Sequence, residues 1–169
     1  MFLTIFLSVI TYAQGAELSV HQDSLISKYG GMMEYNSTPD EFEISQIIFR
    51  AGPCFGTCPI FTLTITNDRK VIYKAENYNK NEGTFETFLD SETYDTLIMI
   101  INYIKLTELK DVYTLPHTDD RTYRLEIIYN YEKMKTISDY GAKGTFGLKN
   151  LYNHFFNIRN NTEWKRKSD

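Results

Sequence analysis

The sequence has little of several residue types that often mark a function. Its 169 residues include two cysteines, one tryptophan and three histidines, and these histidines (His21, His117 and His154) are not spaced as metal ligands. Because a zinc site usually takes four Cys or His side chains, we expect no metal site. No nucleophile elbow, zinc-protease motif or P-loop occurs. We therefore expect neither a metal nor a cofactor.

Positive charge and long apolar runs are also scarce. The chain has 18 Lys and Arg against 22 Asp and Glu, a formal net charge of -4. A nucleic-acid partner normally requires a basic face, and the short WKRKS run near the C-terminus is too small to provide one. No apolar run reaches the roughly 20 residues of a membrane-spanning helix. We therefore expect no nucleic-acid partner and no transmembrane segment after removal of the leader described next.

The N-terminus, MFLTIFLSVITYAQGAE, is a short apolar block that ends in Thr11-Tyr12-Ala13. Its small residues stand at the positions that a signal peptidase reads, although the usual positively charged start is missing. The segment predicts a signal peptide over residues 1–13 and export to the periplasm, the cell envelope or the outside. The alternative is a buried N-terminal strand or helix.

Hydrophobic patterning becomes regular after residues 14–41, whose polar, turn-rich sequence predicts an irregular lead-in. In FTLTIT and VIYKA every second residue is apolar, and Asn67-Asp68 between them is a turn signal, so we predict a β-hairpin. TYRLEIIYN and EKMKTISDYG predict a second hairpin. Apolar residues then follow helical spacing in LDSETYDTLIMIINYIK and TFGLKNLYNHFFNI, with Asp90 or Ser91 and Thr145 as caps. His154, beside the apolar stripe of the second helix, is predicted at the surface or at the boundary of the core.

The predicted order is a single strand, FEISQIIF, followed by two hairpin–helix units. A mostly antiparallel sheet with a threonine-rich face toward water and two helices on its other face forms a two-layer α+β sandwich. We predict one such domain over residues 42–158 and a polar tail over residues 159–169.

The segment RAGPCFGTCPIF holds both cysteines, Cys54 and Cys58. A redox pair normally has two residues between its cysteines and a helix N-terminus to lower the thiol pKa, but here three residues intervene and a strand follows. In a turn, residues four apart bring their Cα atoms within the roughly 4.4–6.8 Å that a disulfide requires. Gly56 allows the chain to bend back, and export would supply an oxidising compartment. A disulfide therefore fits better than a reactive thiol pair or a metal clip.

The loop His117–Asp120, followed by Arg121, is a second candidate region. A histidine and two carboxylates can perform acid–base chemistry or bind a cation. Asp and Thr side chains that cap nearby backbone N–H groups are the more common arrangement in such a loop. We hypothesise that Arg50, just before the cysteine turn, pairs with Asp119 and joins the two loops at one end of the sheet.

The glycines of GAKGTFG (Gly141, Gly144 and Gly147) precede the second predicted helix and resemble a phosphate-binding loop. Their spacing matches neither the dinucleotide fingerprint nor a P-loop. We therefore predict a strand-to-helix connector.

CFGTCPIF resembles the motif C-x-G-x-C-P-x-Y of a family of uncharacterised exported bacterial domains. DVYTLPHTDDRTYRLEII, with Tyr113, Thr118 and Asp119, is similar to a second feature of that family, and ISDYG resembles a third. The resemblance covers roughly residues 42–158. Phe61 stands where the family usually has tyrosine, so any role of that hydroxyl is lost. The resemblance implies export and a domain extent, and it implies no activity.

The leading hypothesis for function is an exported, non-catalytic domain that binds or supports an unknown partner in the bacterial cell envelope or outside the cell. Its motivation is the stapled turn, the solvent-facing side of the sheet and the missing catalytic signatures. The alternative is an enzyme that uses the cysteine turn and the Asp119 loop for thiol or acid–base chemistry. Besides the cysteines, the candidate functional residues are Arg50, Gly56, Tyr113, Thr118 and Asp119.

Overall fold

One large sheet with two helices makes up the part of the chain that the structure describes. The computed structural model describes residues 38–114, 116 and 119–168; the predicted signal peptide and most of the predicted lead-in lie outside these residues. The strands are β1 (Ile44–Ala51), β2 (Phe61–Thr66), β3 (Lys70–Ala75), β4 (Gly83–Phe88), β5 (Val112–Tyr113), β6 (Thr122–Tyr129), β7 (Lys133–Tyr140) and β8 (Lys165–Arg166). The helices are α1 (Ser91–Tyr103) and α2 (Phe146–Asn161), and a 3₁₀ turn spans Leu106–Glu108.

The strand order across the sheet is β5-β7-β6-β1-β2-β3-β4-β8. All neighbouring strands are antiparallel except β5 and β7, which run parallel. Both predicted hairpins are present as β2–β3 and β6–β7, and β1 joins them by pairing with β2 and β6. The predicted α+β class with a mostly antiparallel sheet is therefore confirmed.

Alternation along the strands separates a buried face from an open one. In β2, Phe61, Leu63 and Ile65 are buried, while the threonines between them are only partly covered. Phe49 of β1 stacks on Phe155 of α2 with ring centroids 4.4 Å apart, so this helix covers the buried face. Burial of each such aromatic side chain stabilises the folded state by about 2–3 kcal/mol, because it removes apolar surface from water.

Local capping signals determine where both helices begin. Asp90 accepts a hydrogen bond from the N–H of Thr93 at 2.8 Å, and Thr145 accepts one from the N–H of Leu148 at 3.3 Å. These oxygens satisfy N–H groups that have no partner within the helix. Within the described part of the chain, neither helix is long and apolar enough to cross a membrane.

The second helix differs from the sequence prediction in two respects. His154 is buried rather than at the surface or the boundary of the core, because α2 packs on α1 and places the His154 Nε2 atom 3.1 Å from the carbonyl oxygen of Thr93. The helix also continues to Asn161, within the predicted polar tail, and Lys165–Arg166 then pairs with β4 as an edge strand. Backbone hydrogen bonds form this last strand, and no apolar pattern marks it.

Candidate functional site

Three loops that carry sequence candidates meet at one end of the sheet. We call this the cysteine end, and it comprises residues 52–60, 119–121 and 141–145. The N–H of Gly52 donates to the carbonyl of Thr122 at 2.9 Å, and the N–H of Gly141 donates to the carbonyl of Arg121 at 2.8 Å. The N–H of Phe55 lies 3.5 Å from the carbonyl oxygen of Asp119. The β1–β2 loop is therefore attached to the loop before β6 at two points.

A disulfide joins Cys54 and Cys58, whose Cα atoms are 5.9 Å apart. Gly56, inside the closed loop, has φ of +142°, a backbone conformation that side chains with a Cβ rarely adopt. The disulfide and this glycine together shape the segment 54–58, which we call the stapled loop. At its tip, the side chain of Phe55 is 86% exposed.

The structure pairs Arg50 with Glu76 rather than with Asp119. The Arg50 guanidinium donates to both carboxylate oxygens of Glu76, at 2.5 and 3.0 Å, and to the hydroxyl of Thr62 at 3.2 Å. The hydrogen bonds from Arg50 hold the pKa of Glu76 below its usual value. Strand alternation explains the difference, because Arg50 lies on the open face of the sheet beside its register partner Thr62.

The remaining sequence candidates make mainly structural contacts. The hydroxyl of Tyr113 accepts a hydrogen bond from the N–H of Lys110 at 3.1 Å. Asp119 has φ of +81°, and it contributes its carbonyl oxygen to the contact with Phe55. Thr118 lies outside the described residues. The structure thus brings Gly56 and Asp119 together at the cysteine end and places Arg50 on another surface.

Sequence reasoning missed Asp139, a carboxylate with no exposed surface at the end of β7. Its two oxygens accept hydrogen bonds from the N–H groups of Lys143, at 2.7 Å, and Gly144, at 3.0 Å. A Cβ on Gly144 would lie only 2.6 Å from the Asp139 Oδ2 atom. The glycine-rich connector therefore binds the chain's own carboxylate. The signal available in the sequence was the aspartate of ISDYG, directly before those glycines.

Tyr152 of α2 lies near Asp139, in the aromatic part of the core. Its ring stacks on Tyr123 at 4.9 Å between centroids and on Phe49 at 5.5 Å. Burial raises the pKa of the Tyr152 phenol well above its usual value, and the negative charge of Asp139 raises it further. Because the phenol then holds its proton at any physiological pH, Tyr152 is not suited to act as a general base.

Arg121 connects Pro59, directly after the stapled loop, to α2. Its guanidinium donates a hydrogen bond from Nη2 to the carbonyl of Pro59 at 2.9 Å, and it lies over the rings of Phe156 and Tyr123. The residue is only 8% exposed, its Nε atom has no hydrogen-bond partner among the described residues, and burial lowers the pKa of the guanidinium. A buried charge with few partners is costly, so this arrangement requires close packing around it.

The described residues contain no group of three or more His, Cys, Asp or Glu side chains that could hold a metal ion. Both cysteine sulfurs are joined in the disulfide. The arrangement at the cysteine end is therefore one that holds a loop in a defined shape.

The comparison with family models identifies a family. A model described as "Domain of unknown function (DUF6438)" matches residues 45–159, which is more than half of the chain. A search of the curated proteins found no match. The matched span begins in β1, includes all three loops of the cysteine end and ends within α2. The chain belongs to this family of uncharacterised domains.

Proposed function

We propose that this member of the DUF6438 family is an exported, non-catalytic domain that binds a partner in the bacterial cell envelope or outside the cell. The stapled loop is the proposed contact surface. One observation carries the proposal: Phe55 is almost fully exposed on a loop that a disulfide closes and that backbone contacts tie to residues 119 and 122. An aromatic side chain on a pre-ordered loop can bury a large apolar area at little entropic cost.

The side chains at or beside the cysteine end that could take part in a reaction favour binding over catalysis. The two cysteine sulfurs form a disulfide, and the Asp139 carboxylate accepts hydrogen bonds from two backbone N–H groups. The Tyr152 phenol has a raised pKa. The sulfurs and the Asp139 carboxylate are engaged in holding the structure, and Tyr152 is buried, whereas an acid–base or nucleophilic site needs groups that face a substrate.

Two observations support export. The apolar N-terminal sequence is typical of a secretory signal, and disulfides form and persist mainly in oxidising compartments. For the partner, Asp119, whose carbonyl oxygen contacts the N–H of Phe55, is an exposed acidic residue beside the stapled loop. We therefore expect an apolar pocket with basic groups at its rim.

The contact surface can be tested by photo-crosslinking in the living bacterium. A benzophenone amino acid replaces Phe55 in one variant and Tyr131 in a matched control, since Tyr131 is 92% exposed on the β6–β7 turn. We expect a defined adduct from position 55, its loss in the Cys54→Ser/Cys58→Ser background, and no such adduct from position 131. Equal adducts at both positions, or none at position 55, would contradict the proposal.

Export and the state of the sulfurs are tested on the mature protein. We expect the chain recovered from the periplasm or the medium to begin near Gln14 and to contain no titratable thiol. Recovery of the intact leader in the cytoplasm would contradict export. Two reactive thiols in the exported protein would instead favour the alternative, an enzyme that uses Cys54 and Cys58.

A further inference from the structure

A cleft of about 360 Å³ opens beside the C-terminal end of α2, between that helix, β3 and β4. Its aromatic lining consists of Tyr73, Phe85 and Trp164. The Tyr73 ring stacks on Phe85 at 5.8 Å and lies 4.9 Å from Trp164, so the three rings form one apolar wall. Tyr73 and Phe85 are buried and Trp164 is half-buried, so Trp164 contributes the accessible part of this wall.

Positive charge faces the same cleft. Lys80 and Arg159 line it, and none of the described residues that line it is acidic. The Arg159 guanidinium donates to the Tyr73 hydroxyl at 3.2 Å and to the side-chain oxygens of Asn79, at 2.9 Å, and Asn160, at 2.6 Å. These acceptors are all neutral. They hold the guanidinium in place and leave its charge available to a bound anion.

The rest of the lining is polar and uncharged. Asn81, Asn160 and Thr162 provide amide and hydroxyl groups around the aromatic wall. The Trp164 Nε1–H donates to the carbonyl of Arg159 at 3.0 Å, which fixes the orientation of the indole ring and satisfies a carbonyl at the helix end. The cleft thus combines an oriented ring, a fixed cation and several neutral hydrogen-bonding groups.

We infer that this cleft binds an acidic saccharide, a pyranose that carries a carboxylate. The C–H face of a pyranose packs against an aromatic ring, amide and hydroxyl side chains bond its hydroxyl groups, and Lys80 and Arg159 pair with its carboxylate. The volume lies within the range of about 300–1,000 Å³ that is usual for small-molecule sites. The site is separate from the stapled loop, because no residue of the cysteine end lines it.

The chain contains a single tryptophan, so its fluorescence reports directly on Trp164 in this cleft. Mature full-length protein is titrated with trigalacturonate, with neutral maltotriose and with uridine monophosphate, and calorimetry is run in parallel. We expect saturable binding of trigalacturonate that shifts the Trp164 emission and weakens as ionic strength rises. We expect maltotriose and the nucleotide to bind at least about tenfold more weakly, because each lacks one of the two matching features.

A pair of lysine variants tests whether the positive charge of the cleft contributes to binding. Lys80→Gln removes an exposed cation of the cleft, and we expect it to weaken trigalacturonate binding about fivefold. Lys74→Gln removes an exposed lysine of β3 that does not line the cleft, and we expect no change. Both substitutions are at exposed positions and leave the core intact.

Several outcomes would overturn the inference. Equal affinity for trigalacturonate and maltotriose, tighter binding of the nucleotide, or equal effects of the two lysine variants would each contradict an acidic saccharide. Absence of binding by both fluorescence and calorimetry would reject the site itself. Because the crosslinking at position 55 does not involve the cleft, failure of this inference can be told apart from failure of the proposed function.

Discussion

Each end of the sheet presents an exposed aromatic side chain on a loop, and the two loops are held in different ways. At the cysteine end, Phe55 lies on a loop closed by a disulfide and bonded to residues more than 60 positions later. At the opposite end, Tyr131 lies on the β6–β7 turn, where Asn130, Tyr131 and Glu132 have φ values of 43°, 61° and 77°. The turn has its own backbone geometry and two hydrogen bonds between Asn130 and Glu43, which are 87 residues apart.

Both loops have hydrogen bonds to residues far away in the sequence, and the difference shows where the fold adds a covalent link to such bonds. A short hairpin turn joins two strands without any covalent link. The stapled loop has a disulfide and a glycine with positive φ, and directly after it the carbonyl of Pro59 accepts a hydrogen bond from the buried Arg121. Such pre-ordering favours binding, because the loop loses little freedom when a partner covers it.

The largest expected effect comes from Asp139 at the cysteine end. Asp139→Ala should lower the free energy of unfolding by about 3 kcal/mol, because two partly buried backbone N–H groups lose a charged acceptor. This loss is measured by urea unfolding, with Trp164 fluorescence as the signal. Asp68→Ala is the matched control in the β2–β3 turn, where an exposed carboxylate also accepts a backbone N–H, from Lys70. Equal losses in both variants would remove the contrast between the two ends.

Removal of the disulfide has the next largest expected effect. Cys54→Ser/Cys58→Ser should lower the free energy of unfolding by about 2 kcal/mol, since closing so short a loop removes limited entropy from the unfolded chain. A reductant should lower the urea concentration at the midpoint of unfolding for the wild type and leave it unchanged for the variant. In the variant, the rate of amide hydrogen exchange should be higher than in the wild type at Phe55 and the same at Tyr131. An unchanged midpoint would mean that hydrogen bonds alone hold the stapled loop.

The smallest expected effect concerns residues with positive φ. Glu132→Gly should raise the free energy of unfolding by about 1 kcal/mol, because glycine adopts φ of +77° without the strain that a Cβ causes. Gly56→Ala in the stapled loop is the reciprocal change and should lower it by a similar amount. Thermal unfolding compares the two variants. A loss of stability in Glu132→Gly would show that the turn depends on the glutamate side chain.

Sequence reasoning succeeded where the signal is local. The period-two alternation of FTLTIT and the turn at Asn67-Asp68 predicted the first hairpin, and Asp90 and Thr145 predicted the helix starts. The pair Cys54 and Cys58 predicted the disulfide because four residues in a turn already bring the sulfurs together. The edge strand β8 gave no such signal, since Lys165 and Arg166 are exposed.

Side-chain partners that are far apart in the chain could not be predicted from the sequence. Arg50 pairs with Glu76, 26 residues later, and Arg121 reaches back 62 residues to Pro59. Both contacts depend on which strands are neighbours. The hypothesis that paired Arg50 with Asp119 placed both residues at the correct end of the sheet and missed the face on which Arg50 lies.

The sequence by itself determined the strands with clear alternation, the helix caps and the stapled loop, because neighbouring residues set these through backbone geometry and the period of the apolar side chains. Only the tertiary structure decided the strand order, the burial of Asp139 and Arg121, and the aromatic cleft around Trp164. The physical reason is that backbone hydrogen bonds are chemically alike in every strand. They do not specify which strands pair, so the packing of the whole chain selects the neighbours.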